Sequence, residues 1–214
     1  MSFIIEPKQL EYLKQFLKNN DPFLLELENY AKLNRIPIID KFGAEFLKLF
    51  LMIKKPKKIL EIGTAIGYST IIIAQNTSND AKIITLEKSK NNIPLAQENF
   101  KKSNTNTKIQ LIEGDAIDSL DIIAETFDFI FLDADKEDYL TIFKKSIGKL
   151  NNDGIIFIDN LLWHGNVALK RITKKMKKST LRVKEFNEYF MSNNEIIPNI
   201  YTIGDGIGIG IKKW

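Results

Sequence analysis

Side chains capable of chemistry follow two apolar segments in the second half of the chain. Asp133 ends the run that begins at Phe127, and Asp159 with Asn160 ends the run that begins at Gly154. If both runs are neighbouring parallel strands, two carboxylates and an amide oxygen meet at one edge of the sheet. In a chain without cysteine and with a single histidine, three hard oxygen ligands suit Mg²⁺. Two separate capping or turn acids are the alternative.

Lys136, three positions after Asp133, is the candidate proton acceptor. A lysine is normally too basic for that role. A dication a few ångströms away disfavours the ammonium form and also acidifies a bound hydroxyl. The pattern therefore predicts a metal-assisted reaction at a substrate oxygen, with Asp133 and Lys136 as the catalytic pair.

A glycine turn earlier in the chain provides the second group of candidates. The segment 58–70 predicts a buried strand, a turn at Gly63 and Gly67, and a helix whose first free N–H groups lie near Ser69. Ala65 occupies the middle glycine position of the dinucleotide pattern G-x-G-x-x-G, so the turn favours S-adenosylmethionine over NAD. An ordinary strand-to-helix turn is the alternative.

Two further strand ends carry acids. Glu87 ends the next apolar run, 20 positions after Gly67, where a carboxylate can accept both hydroxyls of a ribose. The tripeptide Gly114-Asp115-Ala116 could place an acid and a backbone amide against an adenine ring. Asp115 fits a helix N-cap equally well.

Apolar strands alternate with amphipathic helices from residue 58 onward, which indicates a parallel sheet with helices on both faces. Strands are predicted at 58–62, 82–87, 108–112, 127–133 and 154–159. Helices are predicted at 7–18, 22–33 and 40–53, with Asp21 capping the second. Residues 200–203 and 207–211, joined by Gly204-Asp205-Gly206, predict a hairpin. We expect one domain over 1–214, with 1–55 as a helical cover and 56–214 as the binding core.

The composition is that of an ordinary globular chain: 214 residues, of which 44% are hydrophobic and 27% charged. The lack of cysteine excludes disulfides and thiolate metal sites, and one histidine, His164, excludes a His-rich zinc site. We expect His164 to be a loop residue. The absence of a long apolar run and of a signal-peptide pattern predicts a cytoplasmic location without membrane contact.

Positive charge is concentrated in one segment. The net charge of +4 is weak evidence for any partner, since most cations are lysines scattered along the chain. The segment 170–184 contains Lys170, Arg171, Lys174, Lys175, Lys177, Lys178, Arg182 and Lys184. It could contact a polyanion, although a solvated helix face is the more ordinary interpretation.

Together the motifs resemble the Mg²⁺-dependent O-methyltransferases of the catechol and caffeoyl-CoA type. The similarity is carried by the segments 60–69, 114–116, 131–136 and 159–165 and by the acid Glu87. It implies an α/β, Rossmann-like class I methyltransferase fold with a seven-stranded, mostly parallel sheet, S-adenosyl-L-methionine as donor, and a homodimer. It also implies Asp133, Asp159 and Asn160 as metal ligands, Lys136 as base, and Glu61, Gly63, Ser69, Glu87, Asp115, Ala116 and Asp133 around the cofactor.

Within that group the chain is most similar to bacterial tRNA 5-hydroxyuridine methyltransferases, which make 5-methoxyuridine at the wobble position. The shared features are the segments 35–41, 56–58 and 204–206, and Ile39 falls where that branch touches the cofactor. Two features differ. A small residue can occur in that branch at the position of Asp135, and Trp163-His164 is more similar to the small-molecule enzymes.

The substrate therefore has two candidates, which one metal site can serve. In 5-hydroxyuridine the 5-hydroxyl and the 4-carbonyl oxygen are vicinal, so they can chelate Mg²⁺ as a catechol does. The leading hypothesis is a tRNA wobble-uridine O-methyltransferase in which segment 170–184 contacts phosphates of the anticodon loop. The alternative is a catechol-like small-molecule O-methyltransferase. A non-catalytic NAD-binding module is a third hypothesis, but it leaves the Asp133, Asp159, Asn160 group unexplained.

Overall fold

The computed structural model describes residues 7–17 and 21–214, which form three N-terminal helices, then strands that alternate with helices, and a C-terminal strand pair. The strands are β1 (Lys58–Ile62), β2 (Lys82–Glu87), β3 (Ile109–Glu113), β4 (Phe127–Leu132), β5 (Leu150–Ile158), β6 (Ile196–Tyr201) and β7 (Ile207–Lys212). The helices are α1 (Pro7–Lys14), α2 (Pro22–Asn34), α3 (Lys41–Lys54), α4 (Tyr68–Gln75), α5 (Asn92–Lys102), α6 (Ala116–Ile122), α7 (Tyr139–Ile147) and α8 (Lys174–Met191). Short 3₁₀ turns lie at Asn106–Lys108 and Asn166–Ala168.

The seven strands form one sheet in the order β3-β2-β1-β4-β5-β7-β6. The pairs among β1 to β5 are parallel, whereas β7 runs antiparallel to both β5 and β6. The predicted fold class, a mostly parallel seven-stranded sheet with a C-terminal antiparallel hairpin, is confirmed. The chain leaves β1 towards β2 on one side and later adds β4 on the other, so the crevice at this reversal is the expected ligand position.

Helices cover both faces of the sheet because successive strand side chains point to opposite faces. On one face α2 to α5 pack against Ile59, Phe129 and Phe157, and on the other α6 to α8 pack against Leu60 and Ile130. All five side chains are fully buried. Each buried side chain of this size stabilises the fold by about 1.5–3 kcal/mol, so these two layers fix the strand ends in space.

Turn-forming residues, including a proline, caused the largest errors in the predicted strand bounds. β5 begins at Leu150 rather than 154, because the turn-like segment 151–153 continues the strand past a register shift opposite β4. β6 begins at Ile196 rather than 200, since Pro198 is tolerated on an edge strand. β4 and β5 end one residue earlier than predicted, so Asp133 and Asp159 come directly after their strands. β3 is shifted by one residue.

The N-terminal helices agree with the prediction apart from their ends. Asp21 and Asp40 each cap the helix that follows, with side-chain oxygens that accept amide hydrogens of the first turn. Asp40 therefore precedes α3 rather than belonging to it. α1 ends at Lys14, and the predicted end at Lys18 lies outside the described residues. No helix within 7–17 and 21–214 has the length and apolar character needed to cross a membrane.

Candidate active site

A cavity of about 860 Å³ opens at the carboxyl ends of the parallel strands. Most of the predicted site residues line it: Ile39, Gly63, Ser69, Glu87, Asp115, Ala116, Asp133, Lys136 and Asn160. Two others, Glu61 and Asp159, are buried and lie outside the group that lines the cavity. The sheet thus brings the two groups of candidates from distant parts of the sequence to a single site.

The glycine turn after β1 is built for close backbone approach. Gly63 has φ +105°, and a Cβ there would lie 1.9 Å from the carbonyl oxygen of Asp133. Gly67 has φ +86°, and a Cβ there would lie 2.5 Å from the ring of Phe100. Ala65 is also left-handed, at φ +47°, a conformation that costs a non-glycine residue roughly 1 kcal/mol or more. The turn is therefore held in a strained shape by its surroundings.

Glu87 holds that turn from the neighbouring strand. Its carboxylate accepts the amide hydrogen of Ala65 (2.7 Å) and that of Ser89 (2.8 Å). Each carboxylate oxygen keeps a further lone pair, so acceptance of ribose hydroxyls stays a prediction that the geometry allows. Asp115 caps α6 through the amide of Ile117 (2.8 Å), which confirms the N-cap interpretation, and it also lines the cavity, so its contact with an adenine ring stays a prediction.

Glu61 lies beneath the turn rather than on the cavity wall. Its carboxylate accepts hydrogen bonds from the hydroxyls of Ser69 (2.6 Å), Thr85 (2.5 Å) and Thr70. Burial raises its pKa from 4.5 to about 7, against the lowering effect of these hydroxyls, and the nearby Asp133 raises it further. Glu61 therefore ties β1 and β2 to the first turn of α4, and its contact with a cofactor stays a prediction.

The raised pKa of Glu61 predicts a pH dependence of stability. The folded protein binds this proton more tightly than the unfolded chain, so the stabilisation is complete below about pH 4.5 and is lost as the pH rises through about 7. We expect Glu61→Gln to flatten the fall in Tm between about pH 5 and 8. Calorimetry checks this, with the exposed change Glu113→Gln as control. An unchanged slope in Glu61→Gln contradicts it.

The predicted metal ligands lie after two adjacent strands. The amide of Asp159 donates to the carbonyl of Leu132 (3.1 Å), so the sheet ladder continues to this residue. Its carboxylate is buried and accepts the amide hydrogen of Asn160 (2.7 Å). Burial and the neighbouring Asp133 raise the pKa of Asp159 well above its usual value, while Lys136 opposes the shift. A buried carboxylate beside a second carboxylate calls for positive charge, so the residues fit a cation.

The composition of this group favours a hard divalent ion. Asn160, at φ +63°, adds an amide side chain at the cavity wall to the two carboxylates. Within the described chain no cluster of three or more histidine, cysteine, aspartate or glutamate side chains could hold a metal. Two carboxylates and one amide, with room left for other oxygens, match the partly hydrated coordination of Mg²⁺. Mg²⁺ binding itself stays a prediction.

Lys136 is held tightly at the same edge. Its side chain is 9% exposed, and its Nζ donates to Asp133 Oδ1 (2.8 Å), to the carbonyl of Ala134 (3.1 Å) and to the hydroxyl of Tyr139 (2.5 Å). Nζ also lies 5.8 Å from the ring centroid of Trp163. The sequence predicted a role for Lys136 but not for Tyr139. Tyr139 stands three residues later, at the start of α7, and side chains at this spacing can contact each other.

The loop after β5 forms the far wall of the cavity. Trp163, His164 and Gly165 are all left-handed, and the amide of His164 donates to Asp205 Oδ1 (2.5 Å) from the β6–β7 turn. The His164 side chain is exposed, as expected for a loop residue. Asp135 forms an ion pair with Lys88 (2.5 Å), and both line the cavity.

The basic segment reaches the cavity at one point. Ser179 of α8 lines the cavity, as does Glu137, the ion-pair partner of Lys178. The exposed cations of the segment include Lys170, Arg171, Lys174, Lys177, Lys178 and Arg182. Arg182 pairs with Glu185, so part of the charge is already compensated within the chain. Exposed charge on this segment is compatible both with a solvated helix face and with an anionic ligand.

The parallel sheet, the glycine turn after β1 and the acids that follow the next strands define a protein of the class I methyltransferase fold. Residues 17–213 match the family model described as O-methyltransferase, and the chain belongs to this family.

Known proteins support this assignment along nearly the whole chain. The caffeoyl-CoA O-methyltransferase of Stellaria longipes is 31% identical over 211 residues, which cover 94% of this chain and 83% of the relative. The flavonoid 3',5'-methyltransferase of Vitis vinifera is 29% identical over 212 residues, with 95% and 87% covered. An O-methyltransferase of Bacillus cereus in complex with SAH has a TM-score of 0.83 at 27% identity, covering 95% of this chain and 96% of its own.

Proposed function

We propose that the protein is an S-adenosyl-L-methionine- and Mg²⁺-dependent O-methyltransferase whose small acceptor carries two vicinal oxygens, as a catechol does. The observation that carries the proposal is the meeting of Asp133, Asn160 and Lys136 at the edge of the cavity that contains the glycine turn, with the buried carboxylate of Asp159 beside them. Family membership supports transfer to oxygen, and the curated relatives act on caffeoyl-CoA and flavonoids. The SAH complex of the Bacillus cereus relative supports the donor.

In this proposal the donor lies across the glycine turn. Glu87 accepts the ribose hydroxyls, and Asp115 and Ala116 border the adenine ring. Ser69 and Gly63 border the methionine end, where free amides of the first turn of α4 attract its carboxylate. Each assignment uses a residue that lines the cavity.

The acceptor lies between the donor and the loop after β5. Mg²⁺ held by Asp133, Asp159 and Asn160 would supply the positive charge that orients and acidifies a hydroxyl. Lys136 Nζ accepts the hydroxyl proton as the oxygen takes the methyl group. Ile38 and Trp163 provide apolar walls for a flat ring.

Activity measurements with matched acceptors test the proposal. We expect the purified protein to methylate a catechol with S-adenosylmethionine and Mg²⁺, to lose this activity in chelator, and to leave a phenol with one hydroxyl unmodified. Mass spectrometry detects the product. Equal transfer to the phenol, or full activity in excess chelator, contradicts the proposal.

A tRNA carrying 5-hydroxyuridine is the second candidate acceptor. The exposed lysines at the start of α8, beside Ser179 at the cavity, favour it, because phosphates near a splayed wobble base need such contacts. Loss of 5-methoxyuridine from tRNA of a deletion strain supports this candidate, and unchanged 5-methoxyuridine contradicts it. The homodimer implied by the resemblance stays a prediction.

Charge reversal separates the two acceptors. If tRNA is the acceptor, Lys174→Glu/Lys177→Glu should lower kcat/KM for tRNA by about tenfold or more, with a smaller salt dependence, because two phosphate contacts become repulsive. The control, Lys101→Glu/Lys102→Glu, makes the same charge change at exposed positions at the end of α5. If a catechol is the acceptor, neither double substitution changes the turnover of the catechol. An equal loss in both pairs contradicts a specific role for α8.

A further inference from the structure

We infer that Tyr139 is a positioning residue that fixes the amine of Lys136, an inference that rests on the role proposed for Lys136. Tyr139 begins α7 and is completely buried. Its hydroxyl donates to the carbonyl oxygen of Asp159 (3.0 Å) and accepts a hydrogen from Lys136 Nζ (2.5 Å). One phenol thus joins the base of the reaction to the backbone of a predicted metal ligand on the neighbouring strand.

The donors and acceptors of Tyr139 and Lys136 show which of the two donates the hydrogen bond between them. The hydroxyl has one proton, which is committed to the carbonyl of Asp159, so it can only accept from the amine. The ammonium has three N–H bonds, directed at Asp133 Oδ1, the carbonyl of Ala134 and the hydroxyl of Tyr139. A neutral amine keeps two of them. Tyr139, which does not line the cavity, can retain one of these two, and this leaves the lone pair on the side of Asp133 and Ala134, both of which line the cavity.

The contact also restricts a flexible side chain. A lysine has four rotatable side-chain bonds, and loss of a fixed partner lets its amine sample other rotamers. A misplacement of about 1 Å at a reacting group can cost about 10²-fold in rate. Tyr139 itself cannot shift, since its ring packs edge-on against Phe186 with centroids 5.4 Å apart. The buried phenol of Tyr139 therefore holds the amine of Lys136 in one position.

Tyr139→Phe removes the hydroxyl and keeps the ring. We expect kcat for methyl transfer to fall by about tenfold or more, with KM for the acceptor and Kd for the donor within about twofold of wild type. The control is Phe143→Leu, on the same helix and packed against the same Phe186 (5.5 Å), which lowers Tm without touching Lys136. An equal loss of kcat in Phe143→Leu assigns Tyr139 a structural role and overturns the inference.

A double-mutant cycle tests whether Tyr139 acts through Lys136. Once Lys136→Ala has removed the amine, adding Tyr139→Phe should change kcat by less than about twofold, whereas independent effects would multiply. Multiplying effects overturn the inference.

Crystal structures of wild type and Tyr139→Phe test the inference without an activity measurement. Lys136 Nζ should leave its position beside Asp133 in the variant. An unmoved Nζ overturns the inference, whereas wild-type protein inactive on every acceptor counts against the proposed function alone.

Discussion

Asp159→Ala is expected to abolish metal-dependent methyl transfer, with a loss of about 10³-fold or more, while the donor still binds. The carboxylate is the most buried of the predicted metal ligands, and removal of a charged ligand forfeits several kcal/mol of stabilisation at the reacting oxygen. The glycine turn, Glu87 and Asp115 keep their contacts in this variant. Calorimetric titration with S-adenosylmethionine should therefore give a Kd near that of wild type.

Asp159→Ala should also change the thermal stability of the metal-free protein. Burial and Asp133 raise the pKa of Asp159 well above its usual value, so this carboxylate destabilises the metal-free protein at neutral pH. In chelator, Asp159→Ala should melt at a temperature equal to or above that of wild type. Asp153→Asn, at the other end of β5 in a left-handed conformation that asparagine tolerates, is the control. Retained activity in Asp159→Ala contradicts the metal assignment.

Gly63→Ala is expected to be a severely damaging single-methyl change. The added Cβ would lie 1.9 Å from the carbonyl oxygen of Asp133, at a φ of +105° that alanine rarely adopts. Backbone must move to relieve this overlap, which costs several kcal/mol and displaces the turn from the cavity. We expect a variant that is either insoluble or folded with a lower Tm and no measurable donor binding.

A second glycine gives the matched control for this change. Gly148 ends α7 with no atom within 4 Å of an added Cβ and with a right-handed backbone, so Gly148→Ala should be neutral or slightly stabilising. Thermal melting and donor titration on both variants check the pair. Wild-type stability and donor affinity in Gly63→Ala would contradict the close approach of turn and carbonyl.

The sequence allowed the sheet and the predicted ligand set to be placed because both depend on local patterns. Apolar runs predict buried strands, and a polar residue directly after such a run predicts an edge position. Asp133 and Asp159 followed from these patterns alone. Their proximity also followed, since parallel neighbours bring their carboxyl ends to the same edge.

Contacts between distant segments could not be predicted in this way. The hydroxyl of Tyr139 meets a carbonyl 20 residues away, and the amide of His164 meets Asp205 from the last hairpin. Glu61 lies beneath the turn rather than in the cavity lining, because three hydroxyl donors from α4 and β2 surround it. Pattern and periodicity contain no information on such pairings, which depend on how the helices dock.

The packing of Gly63 on Asp133 has a thermodynamic consequence for ligand binding. The glycine turn belongs to the predicted donor site and Asp133 is also a predicted metal ligand, and their backbones leave no space between them. A ligand that shifts the turn must also shift the backbone that carries the carboxylate. Linkage then requires that donor and cation alter each other's affinity by the same factor, so saturation with one makes the other bind more tightly or more weakly in equal measure.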